Sequence, residues 1–478
     1  MALPHPEFDH YRLVLISPSS RCVLLEKDAG RLILPRIPVP RWTRAAQKVT
    51  SQIRQRWNFR AWVIDFLGDH SGRENLAIAE RIDERQELLE HSNIAWFPFC
   101  AVPEDELSEA ERVVVRKLLD DGSTGRGPFS RLGWVEDLLT WSCQVLNLAR
   151  SQLSKEFVQL NAGADAALVH ILTEEGSRYW FKAAGAAHLH ERHVTETLSR
   201  ELPEYLPELV AVHEQWNGWL ARDAGVPFLA SYNPSRLAME AVRRLARLQT
   251  GALPFAGRLL VDGCHDHRMP ALRTQIPKLT PYLEAAMQET EADLGLSIGP
   301  ARLRRIAALI AEASLRIENI GIPDTLMHCD VSLDNILVGS RGCTFIDWAQ
   351  ASIGQPFITL EHLCAQFAQH EDSRTIIPRL RKTYLNVWET SLHGRFDREA
   401  LTFMPLVALA SLLCCRSEWL TGNAMRHPSS RSYARVLARQ LDRIARQIEG
   451  PVPLIPGFRR SVMRAGETEV EGRRAAAR

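Results

Sequence analysis

The run His328-Cys329-Asp330-Val331-Ser332-Leu333-Asp334-Asn335, with Ile346-Asp347-Trp348 after it, restricts the folds open to this chain more than any other feature. Two apolar stretches, Ile336–Val338 and Cys343–Ile346, flank Gly339-Ser340-Arg341-Gly342, a composition that predicts a β-hairpin. A hairpin of that length brings the chain back to where it began. Asp330, Asn335 and Asp347 are therefore expected together at one end. The spacing HxDxxxxN by itself only suggests a site. Solvated loop residues or helix caps, however, would have no need of the motif, the hairpin and the second aspartate together. Phosphoryl transfer does need such a set. One carboxylate accepts or orients the proton of an attacking hydroxyl, while an amide oxygen and a second carboxylate hold Mg²⁺ at the nucleotide phosphates. Asp330 is the candidate base, and Asn335 and Asp347 are the candidate Mg²⁺ ligands.

Composition narrows the alternatives. The 478 residues leave room for two to four domains, and 45% apolar with 24% charged residues is ordinary for a soluble globular chain. With 58 Lys+Arg against 57 Asp+Glu the net charge is +1, which excludes a mainly electrostatic binder of nucleic acid or membrane. The longest apolar stretch, Leu401–Cys415, is interrupted by Pro405 and falls short of the ~20 residues of a membrane span, so a buried helix is expected. Met1–His10 has neither a basic start nor an apolar core, and no secretory signal is expected. Nine cysteines without a CxxC pair fit a reducing cytoplasm. Only seven of the 58 cations are lysine, so each lysine merits a question.

Along the chain, residues 11–120 alternate strand and helix signals. Strands are expected at Arg12–Ser17, Cys22–Glu26, Phe59–Leu67, Asn75–Glu80 and Ile94–Phe99. Helices are expected at Arg44–Trp57, where Ala46, Val49, Ile53 and Trp57 keep helical spacing, and at Glu104–Leu119. Asp121–Pro128 reads as a linker, and Trp134–Leu153 as one long helix. Strand signals return at Phe157–Leu160, Ala167–Leu172 and Arg178–Lys182. From Ser235 to Gln447 the pattern is mostly helical, broken by one β-like patch at Asn335–Trp348. The Pro-, Arg- and Ala-rich tail, 451–478, is expected to be disordered.

The motif residues, together with Gly354-Gln355-Pro356-Phe357 downstream and Gly218–Gly225 upstream, resemble the aminoglycoside phosphotransferase family of kinase-like fold. Cys329 stands where that family commonly has glycine, and is itself small. A site of this type also needs a cation for the nucleotide phosphates, steadied by a carboxylate. Lys182, in Tyr179-Trp180-Phe181-Lys182-Ala183, is the candidate cation. Glu191 matches the family's partner by its distance before Leu202-Pro203, with Glu196 of the same helix (His190–Leu202) as competitor. The candidate phosphate-covering stretch, Leu160–Ala166, has a single glycine, and no P-loop motif occurs. His328 is expected to pack rather than to act as a base. Cys264-His265-Asp266-His267 is too local to surround an ion and is expected to lead into a helix that starts at Met269-Pro270.

The N-terminal order of strands, with Leu32-Ile33-Leu34-Pro35 and Ile94–Phe99, resembles a Nudix domain. A working Nudix helix presents glutamates to its metals, whereas Ala45–Trp57 contains no carboxylate. The expected fold class is α+β: a two-lobed kinase-like fold preceded by a smaller α/β Nudix-like domain. The expected domains are 1–120 (Nudix-like), 121–155 (linker and connecting helix) and 156–450, with a β-rich lobe over 156–224 and a helical lobe over 225–450. The implied activity is transfer of the γ-phosphate of ATP, or GTP, with Mg²⁺ to a hydroxyl of a small molecule, with neither nucleic acid nor membrane as partner. The rivals are a nucleotide-binding pseudo-enzyme with a regulatory role, and a protein kinase. The first conflicts with the full set of acidic and cationic residues, the second with Cys329 in place of the HRD arginine.

Overall fold

The computed structural model describes residues 8–450 except 42, 69–74, 83–92, 155, 165, 231–233, 289–297, 369–372 and 415–427. The tail expected to be disordered lies outside the described residues. The chain forms two compact units, 1–192 with 208–223, and 193–207 with 224–467.

The first unit begins with a seven-stranded mixed sheet. Its strands are β1 (Phe8–Ser17), β2 (Cys22–Asp28), β3 (Arg31–Ile33), β4 (Arg36–Pro40), β5 (Ala61–Leu67), β6 (Asn75–Arg81) and β7 (Ile94–Pro98). They run in the order β3-β2-β1-β6-β5, with β4 paired to β1 and β7 to β2. Alternation on β1 builds two cores at once. Leu13 and Leu15 pack with Ala46, Val49, Ile53 and Trp57 of α1 (Ala45–Trp57), the face that helical spacing predicts. Val14 and Ile16 point the other way, into a core that includes Val115 and Leu118 of α2 (Glu109–Asp121). Helix α2 starts later than expected because Ser108 caps it, with Glu111 returning the bond as a capping box.

That second core is shared with a five-stranded antiparallel sheet of β8 (Val158–Asn161), β9 (Ala166–Leu172), β10 (Arg178–Ala184), β11 (Leu209–His213) and β12 (Gly218–Arg222). Val169, Phe181 and Leu220 of this sheet join it, together with Phe129, Trp134 and Leu138. Phe129, Trp134, Leu138 and Leu153, from the stretch expected as linker and connecting helix, thus lie in the common core. Helix α3 runs only from Trp134 to Leu146, not to Leu153, because Asn147 takes a left-handed conformation and closes it. Helix α4 (His190–Glu201) begins in this unit, and its residues from His193 onward belong to the second.

The second unit is mostly helical: α5 (Pro234–Ala252), α6 (Ala256–Val261), α7 (Met269–Gln288), α8 (Pro300–Glu318), α9 (Phe357–Phe367), α10 (Ser373–Leu392), α11 (Met404–Cys414) and α12 (Pro428–Glu449). The apolar stretch around Pro405 is indeed a buried helix, with Leu406, Val407 and Leu413 in the core. None of the described helices is long and apolar enough to cross a membrane. Two small sheets interrupt the helices. One orders β13 (Val226–Pro227), β16 (Ile336–Gly339) and β17 (Gly342–Phe345), the other β14 (His265–His267), β18 (Ala351–Gly354) and β15 (Thr325–His328). The second sheet was not expected, since runs of three or four residues are too short to declare a period. His265–His267 forms a short strand parallel to Ser352–Gly354, and α7 starts just after it at Met269, as expected.

Candidate active site

The site in the second unit is assembled around the hairpin. Ile336 pairs with Phe345 and Gly339 with Gly342, so β16 and β17 turn over two residues and both ends of the motif return to one place. The backbone also requires glycine beside this turn. A Cβ on Gly225 would lie 2.1 Å from the Val338 carbonyl oxygen, and one on Gly339 2.1 Å from that of Ala224.

Strand β15 delivers His328, which is buried, with Nε2 donating to the Ile346 carbonyl at 2.8 Å and its ring against Trp348. The ring therefore packs and positions, as expected. The chain then turns, half-burying Asp330, and Ser332 caps a short 3₁₀ turn by accepting from the Asn335 amide at 3.3 Å. Asn335 Nδ2 donates to the Asp330 carbonyl at 2.9 Å. A carbonyl can only accept, so the amide nitrogen is fixed there and Oδ1 is the end available to a cation. The Ile346 amide donates to the Asn335 carbonyl at 3.0 Å, placing Asp347 one residue beyond. Asp347 sits at φ 69°, ψ 67°, a left-handed conformation that costs about 1 kcal/mol for a residue with a Cβ. Strain of this kind gathers where a side chain must be aimed. Asp330, Asn335 and Asp347 are thus brought together at one end of the hairpin, as the sequence predicts.

Lys182 and Glu191 form a second group, in the first unit. Lys182 lies on β10 opposite Trp219, whose ring centroid is 5.8 Å from the ammonium. Its Nζ is 2.5 Å from Glu191 Oε1, and the glutamate side chain is only 2% exposed. Of the two carboxylates weighed on α4, Glu191 is the one at the ammonium. A buried carboxylate is tolerated only with such a partner.

Two supports escaped sequence reasoning. Gln249, buried on α5, donates to the Leu326 carbonyl at 3.0 Å, takes the Thr325 hydroxyl on its own carbonyl at 2.8 Å, and accepts from Tyr384. It fixes β15 from behind. The only signal was one amide on the apolar face of Leu245, Ala246 and Leu248. Cys329 donates to Ser352 at 3.3 Å and lies 3.6 Å from His267 Nδ1, so the thiol where glycine is common packs on the unexpected sheet.

Among solved structures, the chain is similar to a macrolide 2′-phosphotransferase from Brachybacterium faecium at 15% identity, covering 64% of this chain and 98% of that one with a TM-score of 0.44. It is similar to a choline kinase from Cryptosporidium parvum Iowa II at 13% identity, covering 66% and 96% with a TM-score of 0.45. A Plasmodium vivax ethanolamine kinase matches at 13% identity over 80% of this chain and 98% of that one, TM-score 0.41. No curated protein sequence matches. Residues 156–401, just over half of the 478, match the model described as the phosphotransferase enzyme family. The chain belongs to the phosphotransferase enzyme family.

Proposed function

We propose that the chain transfers the γ-phosphoryl group of ATP, or GTP, to a hydroxyl of a small molecule with Mg²⁺. The observation that carries this reading is the grouping of Asp330, Asn335 and Asp347 through the Asn335 amide and the Ile346 backbone bond. Asn335 and Asp347 would hold the metal. Both are hard oxygen donors of the kind Mg²⁺ takes. Among the described residues no group of three or more His, Cys, Asp or Glu could hold a metal, so nucleotide phosphates and water would complete its shell. When bound, Mg²⁺ neutralises charge on the phosphates. Asp330 accepts the proton of the acceptor hydroxyl as the oxygen attacks phosphorus. Lys182 neutralises phosphate oxygens, and Glu191 holds the ammonium in place. Thinly spread cysteines support a cytoplasmic location for this chemistry. Screening alcohol-bearing metabolites and antibiotics for acceptor-dependent release of nucleoside diphosphate tests the reading. Release with no acceptor dependence across the screen would contradict it.

For residues 1–120 we propose a Nudix-like scaffold without hydrolase chemistry. The support is α1, which offers Lys48, Arg54 and Arg56 but no carboxylate to a metal. Glu80, on β6, is buried and spends an oxygen on the Gly133 amide at 2.6 Å. Nucleoside diphosphate derivatives offered to the full chain with Mg²⁺ or Mn²⁺ should survive. Hydrolysis that persists in an Asp330→Asn variant would overturn this.

A further inference from the structure

The turn between β8 and β9 is where the nucleotide reading needs backbone amides near phosphate, yet it carries one glycine. Its surroundings account for that. Gly163 is buried at φ +114°, and a Cβ there would lie 3.2 Å from Asp65 Oδ1 and 3.9 Å from the Phe66 nitrogen. Gly127 flanks the same turn, the Ala164 carbonyl oxygen being 3.8 Å from where its Cβ would sit. Arg44 Nη1 donates to Asn161 Oδ1 at 2.9 Å. Gln159, buried on β8, accepts from the Val63 amide at 3.0 Å and donates to the Val63 carbonyl at 2.6 Å. Ala162 packs against the core beneath α1.

Asp65 is itself anchored. Its side chain is 1% exposed, and it accepts from the Phe66 amide at 2.9 Å, the Thr124 hydroxyl at 2.8 Å and Arg126 at 3.4 Å. Strand β5 shifts register between Val63 and Asp65, a bulge that re-aims the side chains after it. The N-terminal sheet thus grips the β8–β9 turn from β5, from the segment before α1 and from residues 124–127.

We propose that the N-terminal sheet is a clamp that sets the β8–β9 turn in its phosphate-binding conformation, with Arg44, Asp65 and Gln159 as positioning residues for the nucleotide. The inference rests on the nucleotide reading above. A glycine-rich loop is mobile and must be ordered when phosphate binds, which costs affinity. Here the ordering is completed on folding, so the turn can dispense with extra glycines. The clamp also gives a catalytically silent domain a part in the reaction.

The test uses the full-length chain and Mg²⁺·ADP as the probe, in Arg44→Gln and Asp65→Asn variants. Arg44 is partly exposed, so its variant keeps the fold even if Asp65→Asn does not. Calorimetric affinity, amide hydrogen exchange over residues 159–168 and the acceptor KM are measured on each. The clamp predicts faster exchange at Ala162–Ala164, Mg²⁺·ADP binding weakened by about tenfold, the equivalent of ordering roughly one backbone residue, and an unmoved acceptor KM. Faster exchange with unchanged or tighter nucleotide binding overturns the clamp while leaving the nucleotide reading intact. A parent chain that binds no Mg²⁺·ADP overturns both.

Discussion

Asn335 reaches back across its own turn to Asp330, Nδ2 donating to the backbone carbonyl at 2.9 Å. One side chain thereby serves the candidate base and the candidate metal. The two jobs are separable. Asn335→Asp keeps an oxygen for Mg²⁺ but loses the donor and sets a carboxylate against a carbonyl. Turnover should fall by about 10–100-fold with the Mg²⁺ requirement retained, as for other losses of a supporting bond. Asn335→Ala should fall further and need more Mg²⁺. Metal titrations of turnover distinguish them, and a fully active Asn335→Asp would show that the bond to Asp330 does nothing.

Lys182 and Glu191 are unequal partners. The ammonium side chain is 21% exposed and the carboxylate 2%. Lys182→Ala takes the ammonium away from a buried carboxylate, whereas Glu191→Gln leaves a cation that can reach water. Lys182→Ala should therefore lower stability by about 2 kcal/mol more than Glu191→Gln, read as denaturation midpoints. Both should raise the nucleotide KM and leave the acceptor KM alone. A rise confined to the acceptor would place Lys182 elsewhere in the reaction.

Burial pushes the Glu80 carboxyl up to about 7, against the bond it accepts from Gly133. A raised folded pKa means that the folded chain holds its proton more tightly than the unfolded chain. The contribution to stability is then whole below about 4.5 and is lost as pH rises through about 7. Glu80→Gln should remove this slope and stabilise the protein at pH 8 by about 3 kcal/mol. Tm measured from pH 5 to 8 checks it; parallel curves for parent and variant would mean that the carboxyl is not perturbed.

The sequence made legible whatever rested on long periods or on fixed spacing. Ala46, Val49, Ile53 and Trp57 announce their helix and its buried face, and the Gly339–Gly342 turn announces the hairpin that gathers Asp330, Asn335 and Asp347. Spacing favours Glu191 over Glu196 as the partner, but both lie on one helix, and it is packing that sets Glu191 at Lys182. The strands Thr325–His328 and Ala351–Gly354 were hidden by brevity. The core shared by the two sheets was hidden for a different reason. The run Leu13–Ile16 shows that β1 is buried on both faces, not what covers them. Asn147 could have ended α3, but asparagine stands within many helices without a left-handed turn.

The central claim is that Asp330 serves a hydroxyl attacking a nucleotide's terminal phosphate. The most direct measurement follows label from γ-³²P-ATP or γ-³²P-GTP into an acceptor found by screening, for the parent chain and for Asp330→Asn, with Mg²⁺·ADP affinity measured beside it. The account predicts Mg²⁺-dependent labelling of the acceptor by the parent, a loss of about a hundredfold or more in Asp330→Asn, and nucleotide affinity kept in both. Undiminished labelling by Asp330→Asn would contradict it.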